Sequence, residues 1–168
     1  MLLNVCIFLI AAIFAFMVFS YSYILYYRQK ADASWLQLKK LFETKFSLCS
    51  KLFDILADID NHDNELTKSL SKNISKYIEA KTSSEFSAAD KRLTVTVIRI
   101  EKSVQRYPLR YITTNYEHLS RSIISLEEKI GFARQFHNDA ADDFNNHVFK
   151  FPIRVVAAIF NVNHRVHL

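Results

Sequence analysis

Residues 116–144 read YEHLSRSIISLEEKIGFARQFHNDAADDF, and this stretch decides the fold. Apolar, aromatic or histidine side chains recur along it at alternating steps of three and four residues. They are Tyr116, Leu119, Ile123, Leu126, Ile130, Ala133, His137, Ala140 and Phe144. Such a seam is typical of a long helix that packs in a coiled coil or a helical bundle.

The rest of the chain favours helices as well, because it contains few residues that break them. A single glycine and two prolines occur among 168 residues, which is well below ordinary usage. Hairpin-rich β folds need turn dipeptides such as Asn-Gly or Asp-Gly, and neither occurs. The sequence therefore predicts an all-α fold.

The N-terminal segment, residues 1–27, contains no charged residue and no histidine. About 20 apolar residues cross a bilayer as a helix, so we expect a transmembrane anchor here. Tyrosines and basic residues stand at its end, where an aromatic belt and headgroup contacts belong. These predicted membrane-interface residues are Tyr21, Tyr23, Tyr26, Tyr27, Arg28 and Lys30.

A cleaved signal peptide is the competing interpretation of this segment. It needs a basic start, a short apolar core and a small-residue cleavage site, whereas this apolar run is long and has tyrosines in the cleavage zone. Basic residues follow the segment, among them Lys39 and Lys40, and none precedes it. The positive-inside rule then predicts a single-pass cell-membrane protein with an exterior N-terminus and a cytoplasmic body.

The body, residues 28–150, carries four amphipathic stretches with helical periodicity, at about 28–59, 65–81, 85–107 and 114–149. Ser84 is the predicted N-cap of the third stretch. Four such helices with short polar connections are typical of an antiparallel four-helix bundle. In the first stretch Lys45 fills a gap in the apolar seam between Phe42 and Cys49. No breaker separates this stretch from the anchor, so both can belong to one helix.

The remaining residues, 151–168, form an apolar and basic tail that includes the segment FPIRVVAAIFNV with its single Arg154. Two interpretations of this tail stay open. It caps the bundle, or it dips into the bilayer surface, as its aromatic and aliphatic content would allow.

The charge pattern bears on the choice of partner. The net charge of +5 is modest, and basic residues are interspersed with acidic ones. A nucleic-acid-binding domain concentrates its basic residues on one face, so we expect no nucleic-acid partner. The acidic stretch Asp139, Asp142 and Asp143, beside Arg134, is interpreted as a solvated face or as a docking face for a basic partner. The expected partners are the lipid bilayer and a membrane or cytoplasmic protein; homo-oligomers are compatible with the seams.

The sequence lacks the spacings that catalytic and metal sites require. A di-iron bundle needs Glu-x-x-His pairs, a phosphate loop needs several glycines, and His164 with His167 falls short of a four-ligand zinc site. Cys6 and Cys49 have neither metal nor redox spacing, and we interpret both as small buried hydrophobic residues. We therefore predict no enzymatic activity, no cofactor and no metal, with a metal-binding bundle as the remote alternative.

His137 stands on the seam of the last helix, where an apolar residue is expected. The simpler interpretation is a core histidine whose ring bonds a hydroxyl or carboxylate on a facing helix. The alternative is a pH-sensitive latch, in which protonation would charge and loosen the helix packing.

The last helix also resembles the LemA family. The family pattern E-N-R-I-A-x-A-R-x-x-Y-N-x-A, followed by Y-N and F-P, is similar to residues 127–140 and to positions after them. A Tyr-Pro pair and an asparagine upstream add to the similarity. The matching positions are Tyr107, Pro108, Asn115, Ile130, Ala133, Arg134, Asn138, Ala140, Asn145, Phe151 and Pro152.

The resemblance implies a membrane-anchored antiparallel helical bundle in a bacterial or similar cell membrane. It supplies no catalytic residues, since no activity is established across the family. The chain departs from the family pattern at His137, where tyrosine is usual, and at Ser50 and Lys51, which replace a common Pro-Asn. We therefore expect a non-enzymatic interaction or scaffold protein, and membrane shaping or lipid binding is the alternative.

Overall fold

A computed structural model of the protein describes residues 2–60, 65–106 and 114–168. Five helices account for most of this part of the chain, and it contains no strand, so the predicted all-α fold is confirmed. The helices are α1 (Leu2–Asp60), α2 (Glu65–Glu79), α3 (Ser83–Arg106), α4 (Thr114–Val148) and α5 (Ile153–Ile159).

The first helix, α1, joins the predicted anchor and the first predicted bundle helix into 59 uninterrupted residues. It is the one described helix that is long and apolar enough to cross a membrane. In its most apolar window only 6% of the residues are buried inside the protein, and Phe8 and Phe19 are 75% and 82% exposed. Apolar side chains left exposed over such a length suit a lipid surrounding better than water.

The chain divides into two compact units. The hairpin unit comprises α1 up to Leu36 together with residues Gln135–His167. The bundle unit comprises the described residues of Gln37–Arg134 together with Leu168. The predicted segment boundaries at residues 27 and 150 stay predictions.

The bundle unit contains the last part of α1, all of α2 and α3, and the first part of α4. Successive helices run in opposite directions, as the predicted antiparallel four-helix arrangement requires. Its core is apolar and includes several side chains that are at most 2% exposed. These are Leu38, Phe42, Leu52, Leu70, Leu93, Ile100 and Ile123.

The start of α3 is defined by a capping box at Thr82 rather than by a cap at Ser84, so the predicted N-cap was wrong. Thr82 Oγ1 accepts the backbone N–H of Glu85 at 3.3 Å, and the Glu85 carboxylate accepts the backbone N–H groups of Lys81 and Thr82 at 2.8 and 3.1 Å. These reciprocal bonds satisfy helix-end donors. They also hold the pKa of Glu85 below its ordinary value.

The middle of α3 is helical although its residues 93–98, LTVTVI, have strand propensity. Thr96 donates its hydroxyl to the carbonyl of Arg92, one turn earlier, at 3.0 Å, and Thr94 Oγ1 lies 3.1 Å from the carbonyl of Asp90. Thr96 Oγ1 also accepts the Asn73 side-chain amide of α2 at 2.8 Å. Tertiary contacts therefore override the local preference of these β-branched residues.

The hairpin unit packs α5 and the chain after it against the ends of α1 and α4. Its core joins Ile24 of α1 to Phe144 and Val148 of α4 and to Val156 and Ala157 of α5. The described tail is thus folded onto this unit, with Val156 and Ala157 at most 2% exposed.

Candidate functional site

Lys45 is the most unusual buried residue of the bundle unit. Its side chain is 0% exposed, in the C-terminal third of α1. Burying an ammonium group costs several kcal/mol unless opposite charges and hydrogen bonds compensate. The residues around Lys45 must therefore supply that compensation.

Two carboxylates and a hydroxyl from facing helices supply it. Lys45 Nζ lies 2.6 Å from Asp90 Oδ1 of α3, 2.5 Å from Glu127 Oε1 of α4 and 2.7 Å from Thr94 Oγ1 of α3. The contacts with Asp90 and Thr94 are hydrogen bonds, and the contact with Glu127 is an ion pair. Thr94 Oγ1 in turn lies 2.9 Å from Glu127 Oε1, which links the two acceptor helices.

Arg134 of α4 completes the buried network. Its Nη2 donates to Asp90 Oδ2 at 3.0 Å, so Asp90 bridges two cations through its two carboxylate oxygens. The guanidinium also lies over the Phe42 ring, with Cζ at 5.8 Å from the ring centroid, within reach of a cation–π interaction. Two positive and two negative groups balance, and we call Lys45, Asp90, Thr94, Glu127 and Arg134 the buried charge network.

Burial raises the pKa of Asp90, and the attraction of Lys45 and Arg134 only partly opposes this effect. A carboxylate whose desolvation is so costly adds little net stability as a pair. It is, however, strongly destabilised by the loss of either cation, because an unpaired buried charge remains. The network therefore has a structural role: its ion pairs and hydrogen bonds hold α1, α3 and α4 at one register within the bundle unit.

The sequence contains part of the signal for this network, because Lys45 fills a gap in an apolar seam, but it does not identify the partners of Lys45. Lys45 stands three residues after Phe42 and four before Cys49, which is a core position of the heptad. A buried positive charge requires negative side chains on the helices that face it. Asp90 is a candidate, because it lies one turn after the apolar Phe86 on α3. Glu127 and Arg134 stand beside the seam of α4 rather than on it, so the seam periodicity alone does not identify them as partners of Lys45 and Asp90.

His137 belongs to the hairpin unit and is 7% exposed. Its Nδ1 lies 3.0 Å from Ser34 Oγ of α1, and its ring centroid lies 5.9 Å from that of Trp35. Ser34 donates its single hydroxyl proton to the Ala31 carbonyl at 2.7 Å. Ser34 Oγ therefore accepts from His137, which assigns the ring proton to Nδ1.

The surroundings of His137 favour its neutral form. Burial lowers the pKa of the imidazole, and the positive charges of Arg165 and His167 lower it further. A hydroxyl on a facing helix is the kind of partner that the simpler interpretation of this residue expected. The latch interpretation stays a prediction.

Ion pairs tie the tail to both long helices of the hairpin unit. Arg165 Nη2 lies 2.6 Å from Asp32 Oδ1 of α1, and its backbone N–H and C=O bond the Asn145 side chain of α4 at 2.9 and 2.8 Å. His167 Nε2 lies 2.8 Å from Asp142 Oδ1. The side chains in these two contacts remain 35–54% exposed, so each contact contributes little by itself.

The predicted acidic stretch is thus more than a solvated face. Asp142 bonds the tail, and Asp143 accepts a 2.6 Å bond from Lys30 Nζ of α1. That bond raises the pKa of Lys30 and lowers the pKa of Asp143. Asp139 is exposed, and Arg134 pairs with Asp90 of α3.

The predicted interface tyrosines gather at the end of the apolar part of α1. Tyr26 is 63% exposed, and Tyr21 is 45% exposed and packs its ring against Phe160 at a centroid distance of 4.9 Å. Tyr27 stacks on His147 of α4 at 4.6 Å. Tyr23 packs its ring on that of Tyr27 at 4.9 Å. Beyond them, Arg28 lies 3.8 Å from Asp32, one turn further along α1.

Comparison with known proteins settles the family. The model of the LemA family matches residues 34–168, which is most of the chain. The chain belongs to the LemA family. No curated protein matches its sequence.

The positions that match the LemA family pattern do not gather in one pocket. Some pack in the protein interior, and others are exposed on its surface. Ile130, Ala133 and Ala140 are buried on the α4 seam at 2%, 8% and 1% exposure. Arg134 belongs to the buried charge network, and Asn145 holds the tail through Arg165. Asn138 is half-buried, whereas Asn115, Phe151 and Pro152 are exposed. Tyr107 and Pro108 lie outside the described residues.

The cysteines and potential metal ligands are spread out. Cys49 is buried, as expected, and burial raises its pKa to about 12. Cys6 is exposed on the apolar part of α1, so the expectation that it is buried within the protein was wrong. Within residues 2–60, 65–106 and 114–168, no group of three or more His, Cys, Asp and Glu side chains could hold a metal ion.

Replacing Lys45 with methionine tests the structural role of the buried charge network. We expect Lys45→Met to lower the free energy of unfolding by about 3–5 kcal/mol, because Asp90 and Glu127 keep only one cation between them. Adding Glu127→Gln should recover part of this loss by restoring neutrality. Urea unfolding of the full chain in detergent, followed by circular dichroism, measures each value.

Lys39→Met provides the matched control for this experiment. Lys39 is half-buried on the same helix, 3.9 Å from Glu43 and 5.6 Å from the centroid of the Phe86 ring, and losing such partly exposed contacts costs at most about 1–2 kcal/mol. Equal losses for Lys45→Met and Lys39→Met would contradict a structural role for the network.

The pH dependence of stability tests His137. Its folded pKa lies below the unfolded value of about 6.5, so the unfolded chain binds the proton more tightly than the folded chain does. The contribution of His137 is therefore complete above about pH 6.5 and declines as the pH falls through that value toward the folded pKa. We expect the Tm of the wild type to fall more steeply from pH 8 to pH 5 than that of His137→Tyr.

His118→Gln serves as the control for His137, because His118 is exposed on the same helix. This variant should keep the wild-type pH profile. Identical profiles for the wild type and His137→Tyr would show that the titration of His137 does not affect stability.

Proposed function

We propose that this LemA-family protein is a single-pass membrane protein whose helical body binds another membrane or cytoplasmic protein without catalysing a reaction. The observation that carries the proposal is α1 itself. One helix presents an exposed, charge-free apolar stretch at its N-terminal end and an amphipathic bundle seam at its C-terminal end. Such a helix suits a tether that keeps a folded body at a membrane.

The buried charged side chains pair with one another, and this pairing supports a binding role over an enzymatic one. In the buried charge network, the ammonium group of Lys45 is occupied by ion pairs with Asp90 and Glu127 and by a hydrogen bond to Thr94. Catalytic acids and bases are recognised by perturbed groups that can reach a substrate in a cleft. The perturbed carboxyl group here, that of Asp90, is only 4% exposed and is occupied by two cations.

The bundle unit offers an apolar contact point to a partner. Phe132 on α4 is 75% exposed, and Ile124, two turns before it, is 45% exposed. Single exposed apolar residues are common, but aromatic side chains frequently anchor protein interfaces. We therefore place the centre of the partner surface at Phe132.

The proposed orientation places the N-terminus outside the cell membrane and both the bundle unit and the tail in the cytoplasm. The support is the contrast between the uncharged segment up to Tyr27 and the basic residues after it, beginning with Arg28 and Lys30. Basic residues close to the end of a span remain on the cytoplasmic side.

Cysteine labelling tests this orientation. In a background of Cys6→Ala and Cys49→Ala, the variant Lys72→Cys carries one thiol on the exposed side of α2. We expect a membrane-impermeant maleimide to leave it unlabelled in intact cells and to label it after the membrane is opened. Labelling in intact cells would reverse the proposed orientation.

Photo-crosslinking tests the partner surface. We expect benzoylphenylalanine at position 132 (Phe132→benzoylphenylalanine) to give a discrete adduct in native membranes, and the same group at the exposed position Lys102 of α3 to give none. Mass spectrometry of the adduct identifies the partner; an adduct of twice the chain mass would instead indicate a homo-oligomer. The absence of any adduct at position 132 would contradict a partner surface there.

A further inference from the structure

The short helix α5 is apolar on both of its sides. One side enters the core of the hairpin unit through Val156 and Ala157, which are 2% and 0% exposed. The other side presents Val155 and Ile159, one turn apart and 54% and 58% exposed. Apart from Arg154, the exposed side of α5 is as apolar as its buried side, and such a surface is normally covered by another molecule.

Exposed aromatic residues flank α5 in the sequence, one just before it and one just after it. Phe151, just before α5, is 85% exposed, and Phe160, just after it, is 51% exposed. We call Phe151, Val155, Ile159 and Phe160 the tail apolar face. A cluster of apolar side chains, in contrast to a single one, marks a contact with a protein or a membrane.

The position of α5 on α1 identifies which of these covers the face. The Phe160 ring packs on the Tyr21 ring at 4.9 Å, and the buried side of α5 shares a core with Ile24, with Tyr27 packed against it. The helix therefore lies beside the last turns of the charge-free part of α1.

Those turns coincide with the expected edge of the bilayer. The charge-free segment extends to Tyr27, and its apolar side chains from Leu3 to Phe19, apart from the half-buried Met17, are exposed. About 20 residues of helix cross the hydrocarbon core, which leaves Tyr21, Tyr26 and Tyr27 at the level of the headgroups, where such aromatic belts lie. A side chain that contacts Tyr21 lies at the same level.

We propose that the tail apolar face inserts into the interfacial region of the bilayer leaflet in which α1 ends, so that α5 is a second membrane contact. This inference rests on the proposed membrane anchoring of α1. Interfacial helices bury their apolar side at the boundary between headgroups and acyl chains. Arg154, the one charged residue of α5, is exposed and can extend its guanidinium to lipid phosphates while its stem stays in the apolar layer.

Quenching of tryptophan fluorescence by brominated phosphatidylcholine tests this depth. The full chain is reconstituted into phosphatidylcholine vesicles as three variants, and the emission of wild-type Trp35 is subtracted from each. Phe160→Trp reports the tail apolar face, Phe14→Trp reports the middle of the apolar part of α1, and Ile78→Trp on α2 is the matched control, since Ile78 is 68% exposed.

We expect brominated lipid to reduce the added emission of Phe160→Trp and Phe14→Trp at least about two-fold, because both positions would lie in or at the acyl layer. The emission of Ile78→Trp should stay unchanged. In a second measurement, adding Val155→Asp and Ile159→Asp to Phe160→Trp should abolish its quenching, whereas Phe14→Trp with the same two changes should remain quenched.

The outcomes separate this inference from the proposal on which it rests. Quenching of Phe14→Trp without quenching of Phe160→Trp would overturn the second contact and leave the anchor in place. A blue-shifted but unquenched Phe160→Trp, with a dimer in chemical crosslinking, would overturn it in favour of a second copy of the chain. Unquenched Phe14→Trp would overturn the anchor itself.

Discussion

An ammonium group buried among helices has to be neutralised where it lies, and Lys45 imposes this condition on the bundle unit. Hydrophobic seams specify which faces of two helices pack together. They do not fix how far one helix is shifted along the other, because successive apolar layers of a heptad repeat resemble each other. The bonds from Lys45 to Asp90 and Glu127 have lengths of 2.6 and 2.5 Å and cannot survive such a shift. The network therefore acts as a register device, one of the best-attested uses of buried polar groups in helical bundles.

The hairpin unit is held together by a different balance of forces. Its buried core is small, with Ile24, Phe144, Val148, Val156 and Ala157 as its members. Around this core lie ion pairs that remain partly exposed, such as Arg165 with Asp32, whose separate contributions are small. A unit with a small core and weak ion pairs gains stability when a surrounding layer buries its remaining apolar surface. Lipid at the level of the tyrosines would supply such a layer.

The sequence predicts the helices of this protein well, because periodicity and the scarcity of breakers are local properties. The seam of the last helix, the helicity of the LTVTVI segment and the connection of the anchor to the first bundle helix all appear as expected. The N-cap of α3 was misplaced, because both Thr82 and Ser84 are good caps, and only the reach of Glu85 toward the backbone of Lys81 and Thr82 decides between them.

The buried charge network was not predictable in the same way. It depends on which helices face each other and at what height, and these are properties of the assembled bundle. Once Lys45 is recognised as a core residue, the need for a buried acid follows from electrostatics alone. Which acid supplies it does not follow, because Asp90 and Glu127 are separated from Lys45 by 45 and 82 positions in the sequence.

Family membership explains the fold of this chain better than it explains its partner. The LemA-like positions on α4 include Ile130, Ala133 and Arg134, whose contacts are internal. Such positions specify packing, and related chains can share them while binding different molecules. Residues that select a partner must be exposed, as Phe132 and the tail apolar face are. The two exposed apolar sites lie on different units and can bind different partners, a protein at Phe132 and lipid at α5. The protein could then present its protein-binding surface while its tail remains in the membrane interface.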